Sequence, residues 1–184
     1  MATAAEMTLI VVHGAESTGK TTLGRKLAAA LGASFLPEFG RTWCEIFGTD
    51  CSAADLVEIG EYQQRNIAEA LADRPIVVSD TDALMTAAWA EMMLGTIPQE
   101  LIGAPKADLY LHCAIDVPFV DDGLRIFGEP ADRQRFDSIA RRVLDDAGVA
   151  VVEVSGDWDQ RFAIASAAVQ ELIEGRGKQF MRNR

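Results

Sequence analysis

The segment Gly14-Ala15-Glu16-Ser17-Thr18-Gly19-Lys20-Thr21 fits the pattern G-x-x-x-x-G-K-[ST], a set of residue types suited to holding the phosphates of a nucleotide. Glycines at 14 and 19 let the backbone fold into a concave nest of N–H groups, and a helix starting at Lys20 adds the positive end of its dipole. In that arrangement Lys20 reaches the β- and γ-phosphates of ATP, and the Thr21 hydroxyl takes a magnesium ion, Mg2+. Glu16, Ser17, Thr18 and Thr22 share the loop and the helix start and are expected to contact the nucleotide.

Further charged residues follow the apolar runs. Glu38 closes Phe35-Leu36-Pro37 and is placed to take the proton of an alcohol attacking a phosphate; the alternative is an acid favoured by a helix dipole. Arg41, one turn on, pairs with Glu38 or binds substrate. Asp80 ends Ile76-Val77-Val78-Ser79, the usual form of a second acid that orders magnesium directly or through water. Either Asp80 or Asp82 could instead cap the following helix, and Asp82 is the better placed for that. Arg125 and Arg133, with Arg135, fall in or beside a flap at 116–135, where arginines would neutralise charge on a transferring phosphoryl group and exclude water. The alternative for Arg133, Arg135, Arg141 and Arg142 is a solvated helix face balanced by Asp132, Asp137, Asp145 and Asp146. Trp158 follows the last apolar run and is a candidate to pack on adenine, whereas Trp43 and Trp89 read as core or pocket wall. His13 reads as a strand-end hydrogen-bonding group and His112 as a satisfied core histidine.

Periodicity predicts the elements that must position these groups. Strands are expected at 8–13, 34–37, 75–79, 108–114 and 149–154, and helices at 20–32, 39–47, 53–72, 82–94, 131–147 and 158–174. Alternation of the two types implies an α/β fold of three layers: a five-stranded parallel sheet with helices on both faces. The runs Pro75–Val78 and Val149–Val152 lack a polar alternate, as expected of strands covered on both faces. Ligands of such sheets bind beyond the carboxyl ends of the strands, which is where the charged residues above fall.

A chain of 184 residues, 49% apolar and 24% charged, suits one globular domain over 1–184, with a solvated, frayed basic tail at about 175–184. A net charge of −11 argues against nucleic acid wrapped on a general basic surface, and leaves Lys20, the metal and the arginines as the local positive charge. Cys44, Cys51 and Cys113 lack C-x-x-C spacing, which favours a reducing compartment over disulfides or a zinc site. Met1 to Met7 has no basic region leading an apolar stretch, and no window approaches a membrane span. A cytoplasmic protein with a small-molecule partner, and neither nucleic acid nor membrane, is expected; its oligomeric state stays open.

Four motifs in order, GAESTGKTTL, PEFGR, SDTDALMTAAW and DVPFVDDGLR, resemble the ribosylnicotinamide (nicotinamide riboside) kinase domain of NadR-type NAD biosynthesis proteins, within the P-loop NTPase superfamily. The resemblance extends from about Thr8 to Leu172. It implies a P-loop kinase fold with an arginine-bearing lid, and ATP- and magnesium-dependent phosphorylation of the 5′-hydroxyl of nicotinamide riboside. On that reading Lys20 and Thr21 hold ATP and the metal, Asp80 orders the metal, Glu38 is the base, and Arg125 with Arg133 stabilises the transferred group. Asp82 or Asp121 would hydrogen-bond ribose hydroxyls. Phe39 and Phe119 stand where the family generally has Tyr and Trp. The DNA-binding and adenylyltransferase domains that often precede the kinase domain are not in this chain, so neither repression nor the second biosynthetic step is expected. A kinase for another nucleoside or small alcohol, or a switch that hydrolyses ATP slowly, is the alternative.

Overall fold

The computed structural model describes residues 7–182, with side chains through Arg176. Five parallel strands, β1 (Thr8–His13), β2 (Ser34–Leu36), β3 (Ile76–Asp80), β4 (Leu109–Cys113) and β5 (Val151–Val154), form one sheet in the order β2-β3-β1-β4-β5. The helices are α1 (Lys20–Leu31), α2 (Phe39–Phe47), α3 (Ala53–Asp73), α4 (Ala83–Leu94), α5 (Gln99–Gly103), α6 (Pro130–Ala147) and α7 (Trp158–Arg182). This is the expected α/β fold.

The strand sequences explain the layering. Along β1 successive side chains point to opposite faces: Leu9 and Val11 join one apolar cluster with α3, α4 and α6, whereas Ile10 and Val12 join another with α1 and α7. An all-apolar strand is therefore buried on both sides. The run at 149–152 departs from expectation. Because β5 is an edge strand, Val151 is 40% exposed and only Val154 is fully covered. Helix α4 is buried almost all round between α3 and α6, and its alanines allow the close approach. The short helix α5, behind Pro98, has no counterpart in the sequence reading, since five residues carry too little periodicity to register.

Two helix termini differ from expectation or decide between alternatives. Helix α7 does not fray near 174 but continues to Arg182, and Arg176 bonds the Met7 carbonyl, the Thr8 hydroxyl and the Asp108 carboxylate. The expected loose tail is thus helical up to Arg182; Asn183, Arg184 and Met1 to Glu6 lie outside the described residues. Asp82 is the N-cap of α4: its carboxylate accepts from Leu84 N (3.0 Å) and Met85 N (3.3 Å), and the Tyr110 hydroxyl donates to it at 2.6 Å. With 1% exposure it has no access to a ribose, so the substrate role expected for Asp82 gives way to capping.

Replacing Asp82 by Ala removes the cap and orphans three donors, and is expected to lower stability by about 2–4 kcal/mol in urea unfolding. Nucleotide affinity of the folded variant should stay at the wild-type value.

Candidate functional site

Register brings the ends of the strands together. Val12 of β1 lies opposite Asp80 of β3, and His13 opposite His112 of β4, so the loop after His13 rises between two neighbouring strand ends. Gly14 has φ 128°, and a Cβ there would stand 2.6 Å from the Cys113 carbonyl oxygen, so only glycine lets the chain turn at this point. The loop is pinned from inside: the Thr18 hydroxyl and Lys20 Nζ both donate to the Ala15 carbonyl, at 2.8 and 2.9 Å. Arg161, 1% exposed, supports it from behind, donating to Thr18 O (3.2 Å), Ala114 O (3.1 Å) and Gly156 O (2.8 Å) and pairing with Asp116. Little in the local sequence marks Arg161, because Thr18, Ala114 and Asp116 arrive from other segments and only Gly156 is near in sequence.

Beneath the loop the Thr21 hydroxyl donates to Asp80 Oδ2, while Asp80 Oδ1 is buried with no partner among the described residues. Burial pushes the Asp80 carboxyl up in pKa, against the pull of Lys20 and the Thr21 bond. An ionised carboxylate with one free oxygen next to a threonine hydroxyl is an oxygen donor set of the kind magnesium takes, so the residues fit that ion. The turn after β3 passes through Thr81 in the left-handed region (φ 72°), which separates Asp80, beside Thr21, from Asp82, inside the core.

A cleft of about 570 Å³ opens in front of the loop. Residues 16–22, Glu38, Arg41, Asp80 and Arg125 line it, joined by Arg25, Thr42, Cys44, Glu45, Trp89, Asp122 and Leu124. Glu38 occupies the N-cap position of α2 yet caps nothing with its side chain. Burial raises its pKa to about 7, with Asp80 and Glu16 adding to the rise and Lys20 and Arg41 opposing it. Its backbone is held by Gln63 of α3, which donates to Pro37 O (3.3 Å) and Ser79 Oγ (3.0 Å) and accepts from Phe39 N (3.0 Å). A smaller recess of about 60 Å³, walled by Leu56, Ile59, Gln63, Thr86, Trp89 and Met93, adjoins Glu38 and includes no residue of the phosphate loop.

Residues 114–129 carry no helix or strand and form the flap. Arg125 faces the cleft, donating to Ser17 Oγ (3.3 Å) and to the Val120 carbonyl and lying 3.4 Å from Asp122. Asp122 in turn pairs with Arg41 of α2 at 2.8 Å, and Arg41 lies 3.3 Å from Glu45 rather than on Glu38.

Several expected site residues fall elsewhere. Arg133 donates to Val117 O (3.2 Å) and stacks over Phe119, so it props the root of the flap outside the cleft. Asp121 accepts from Gly123 N within its own turn, and its neighbour Asp122 is the acid on the cleft. Trp158 is 57% exposed beside Gly19, where a Cβ would meet its ring at 2.5 Å, and does not line the cleft. Arg141 and Arg142 are ion-paired on the helix face, to Asp137 and Glu153 and to Glu91 and Asp146, and Arg135 is exposed. His112 bonds Asp137 at 2.8 Å and His13 at 3.3 Å, as a core histidine should; burial holds His13 well below the usual imidazole pKa. Phe39 stacks on Tyr62 at 3.8 Å between α2 and α3, and Phe119 lies under Arg133, so neither aromatic departure reaches the cleft. Among the described residues no helix is long and apolar enough to cross a membrane.

The family model described as an AAA domain matches residues 9–161. The trifunctional NAD biosynthesis/regulator protein NadR of Salmonella typhimurium is 28% identical over 178 residues, which cover 91% of this chain and 43% of that protein. A crystal structure of NadR protein in complex with NR has a TM-score of 0.78 at 27% identity, covering 91% of this chain and 52% of the other. A structure of NadR protein in complex with NAD and AMP-PNP has a TM-score of 0.73 at 25% identity, covering 91% and 50%. The chain spans about half the length of these relatives. The resemblance carried by the four motifs is upheld across most of the sequence.

Proposed function

The chain belongs to this AAA-domain family of phosphate-loop proteins, and we propose that it is an ATP-dependent small-molecule kinase that phosphorylates the 5′-hydroxyl of nicotinamide riboside. The observation that carries the proposal is Glu38. It is a carboxyl lacking a capping bond, raised to about 7, on the same cleft as Lys20. A group poised near neutrality is suited to accept a proton and then release it. The cleft of about 570 Å³ runs from Lys20 past Glu38 to Arg41, Thr42 and Glu45, which leaves room for an alcohol acceptor beside the phosphates.

In this reading the loop N–H groups and Lys20 hold the phosphates of ATP. Thr21 and Asp80 would hold Mg2+, which screens the charge of the β- and γ-phosphates. The hydroxyl oxygen of the nucleoside attacks the γ-phosphorus, the bond to the β-γ bridging oxygen breaks, and Glu38 takes the hydroxyl proton, leaving ADP and the nucleoside monophosphate. Arg125 neutralises charge spread over the phosphoryl oxygens. The cleft carries Glu16, Glu45 and Asp122 beside Arg25, Arg41 and Arg125, a polar lining that suits a hydroxyl-bearing nucleoside as acceptor. NadR protein binds NR in a solved complex, which supports the same choice. A kinase for another nucleoside is the reading to be tested beside it. Three free thiols fit the reducing cytoplasm as the place of work.

ADP release measured across a panel of nucleosides should be highest with nicotinamide riboside. Preference for a different nucleoside would replace that substrate, and release unchanged by every nucleoside would refute the kinase. Lys20→Ala should abolish turnover. Glu38→Gln should lower kcat by about 10²- to 10⁴-fold with ATP affinity retained. Because the ionised base is the active form, wild-type kcat should rise with pH through about 7 and be lost below it. A carboxyl raised on folding costs stability once it ionises, so Glu38→Gln should unfold at no lower urea concentration than wild type at pH 8.

A further inference from the structure

The two loop residues that set this sequence apart within the general phosphate-loop pattern, Glu16 and Ser17, send their side chains to the flap. Glu16 Oε2 accepts the backbone N–H of Ile126 at 3.2 Å and of Phe127 at 3.3 Å. Ser17 Oγ accepts the Val120 N–H at 2.8 Å and the Arg125 guanidinium at 3.3 Å. Ser17 adopts φ 59°, a left-handed conformation that costs a serine energy and is sustained here where its hydroxyl serves two flap donors.

These anchors fall at chosen places along the flap. Segment 114–129 has no helix or strand to pair its amides, and those of Val120, Gly123, Leu124, Ile126 and Phe127 bond the protein through side chains. Gly123 and Leu124 find theirs in the flap's own Asp121 and Asp122. Val120, Ile126 and Phe127 find theirs on the phosphate loop. These three bracket Arg125 on both sides, so its backbone is held against the loop while its guanidinium bonds Ser17 Oγ and the Val120 carbonyl and pairs with Asp122. Phe127 also stacks on Trp89 at 5.6 Å, continuing the attachment into the cleft wall. Burial pushes the Glu16 carboxyl up in pKa, and the two flap N–H bonds oppose that rise.

We propose that Glu16 and Ser17 are positioning residues whose side chains fasten the flap to the phosphate loop and thereby hold Arg125 at the mouth of the phosphate-binding cleft. The loop backbone with Lys20 and Thr21 serves the nucleotide, and the side chains of Glu16 and Ser17 serve the lid. Glu16 thus acts through Arg125, not by touching ATP. This inference rests on the kinase reading for its catalytic consequence, but the latch itself does not.

The test uses the full chain with Glu16→Ala, Glu16→Gln, Ser17→Ala and Arg125→Ala. Amide hydrogen exchange reads the latch: Glu16→Ala should speed exchange at Ile126 and Phe127 by about tenfold or more, and Ser17→Ala should do so at Val120, with β1 amides unchanged. Steady-state kinetics read the positioning. Glu16→Ala should lower kcat by about tenfold to a hundredfold while ADP affinity changes less than about threefold. Glu16→Gln, which keeps an acceptor oxygen, should restore most of both. In the Arg125→Ala background, Glu16→Ala should cost little more. Unchanged exchange at 126 and 127 would overturn the latch. Faster exchange with wild-type kcat, or a full additional loss in the Arg125→Ala background, would overturn the positioning role. If wild-type protein transfers to no nucleoside, the proposed function falls, while the exchange rates still decide the latch.

Discussion

The site depends on how closely β1 approaches β4 at Gly14. There is no space for a side chain against the Cys113 carbonyl, and the chain leaves the strand with a φ that only glycine tolerates well. That turn lifts residues 15–19 over the strand ends and starts α1 at Lys20, directly above Asp80 of the adjacent strand. The Thr21–Asp80 bond follows from this register, not from any affinity between two distant residues. The same loop carries the flap through Glu16 and Ser17, so one backbone turn sets the loop of N–H groups, the Thr21–Asp80 pair and the flap together.

Charge in the cleft is unevenly matched, and this unevenness suits it to proton transfer. Lys20 is shared among three acids, Glu16, Glu38 and Asp80, none of which it bonds directly, since its Nζ donates to the Ala15 carbonyl. Asp80 has the Thr21 hydroxyl and Glu16 has two flap amides, whereas Glu38 has no capping bond. The desolvation that each carboxyl bears is therefore offset least at Glu38, whose pKa is carried to about 7. Gln63 contributes by holding the turn at Pro37 and Phe39, so that Glu38 is presented by a fixed backbone.

What is legible in the sequence is what is contiguous in it. The phosphate loop, the alternation of strands and helices, and the acids at strand ends are local patterns, and each matches an element of the fold. The flap acid shifts by one residue, from the expected Asp121 to Asp122, because an irregular segment has no period to say which side chain turns inward. Arg133 reads in sequence as part of the lid's charge, and only packing against Phe119 and Val117 shows it to be a prop. Asp82 could serve either a ribose or a helix, and burial beside Tyr110 decides it. Arg161 and Gln63 leave no trace in the sequence, since a polar residue within a helix is ordinarily solvated and most of their partners lie on distant segments. The edge position of β5 is equally invisible, because strand order is a property of the whole sheet.

In a nucleoside kinase, phosphoryl groups leave ATP for a nucleoside hydroxyl and not for water. Phosphorus NMR of the protein with ATP, magnesium and nicotinamide riboside distinguishes the two by product. A phosphomonoester resonance coupled to a 5′-methylene, growing in step with ADP, is the result expected. ADP accompanied only by inorganic phosphate, with or without the nucleoside, would contradict it.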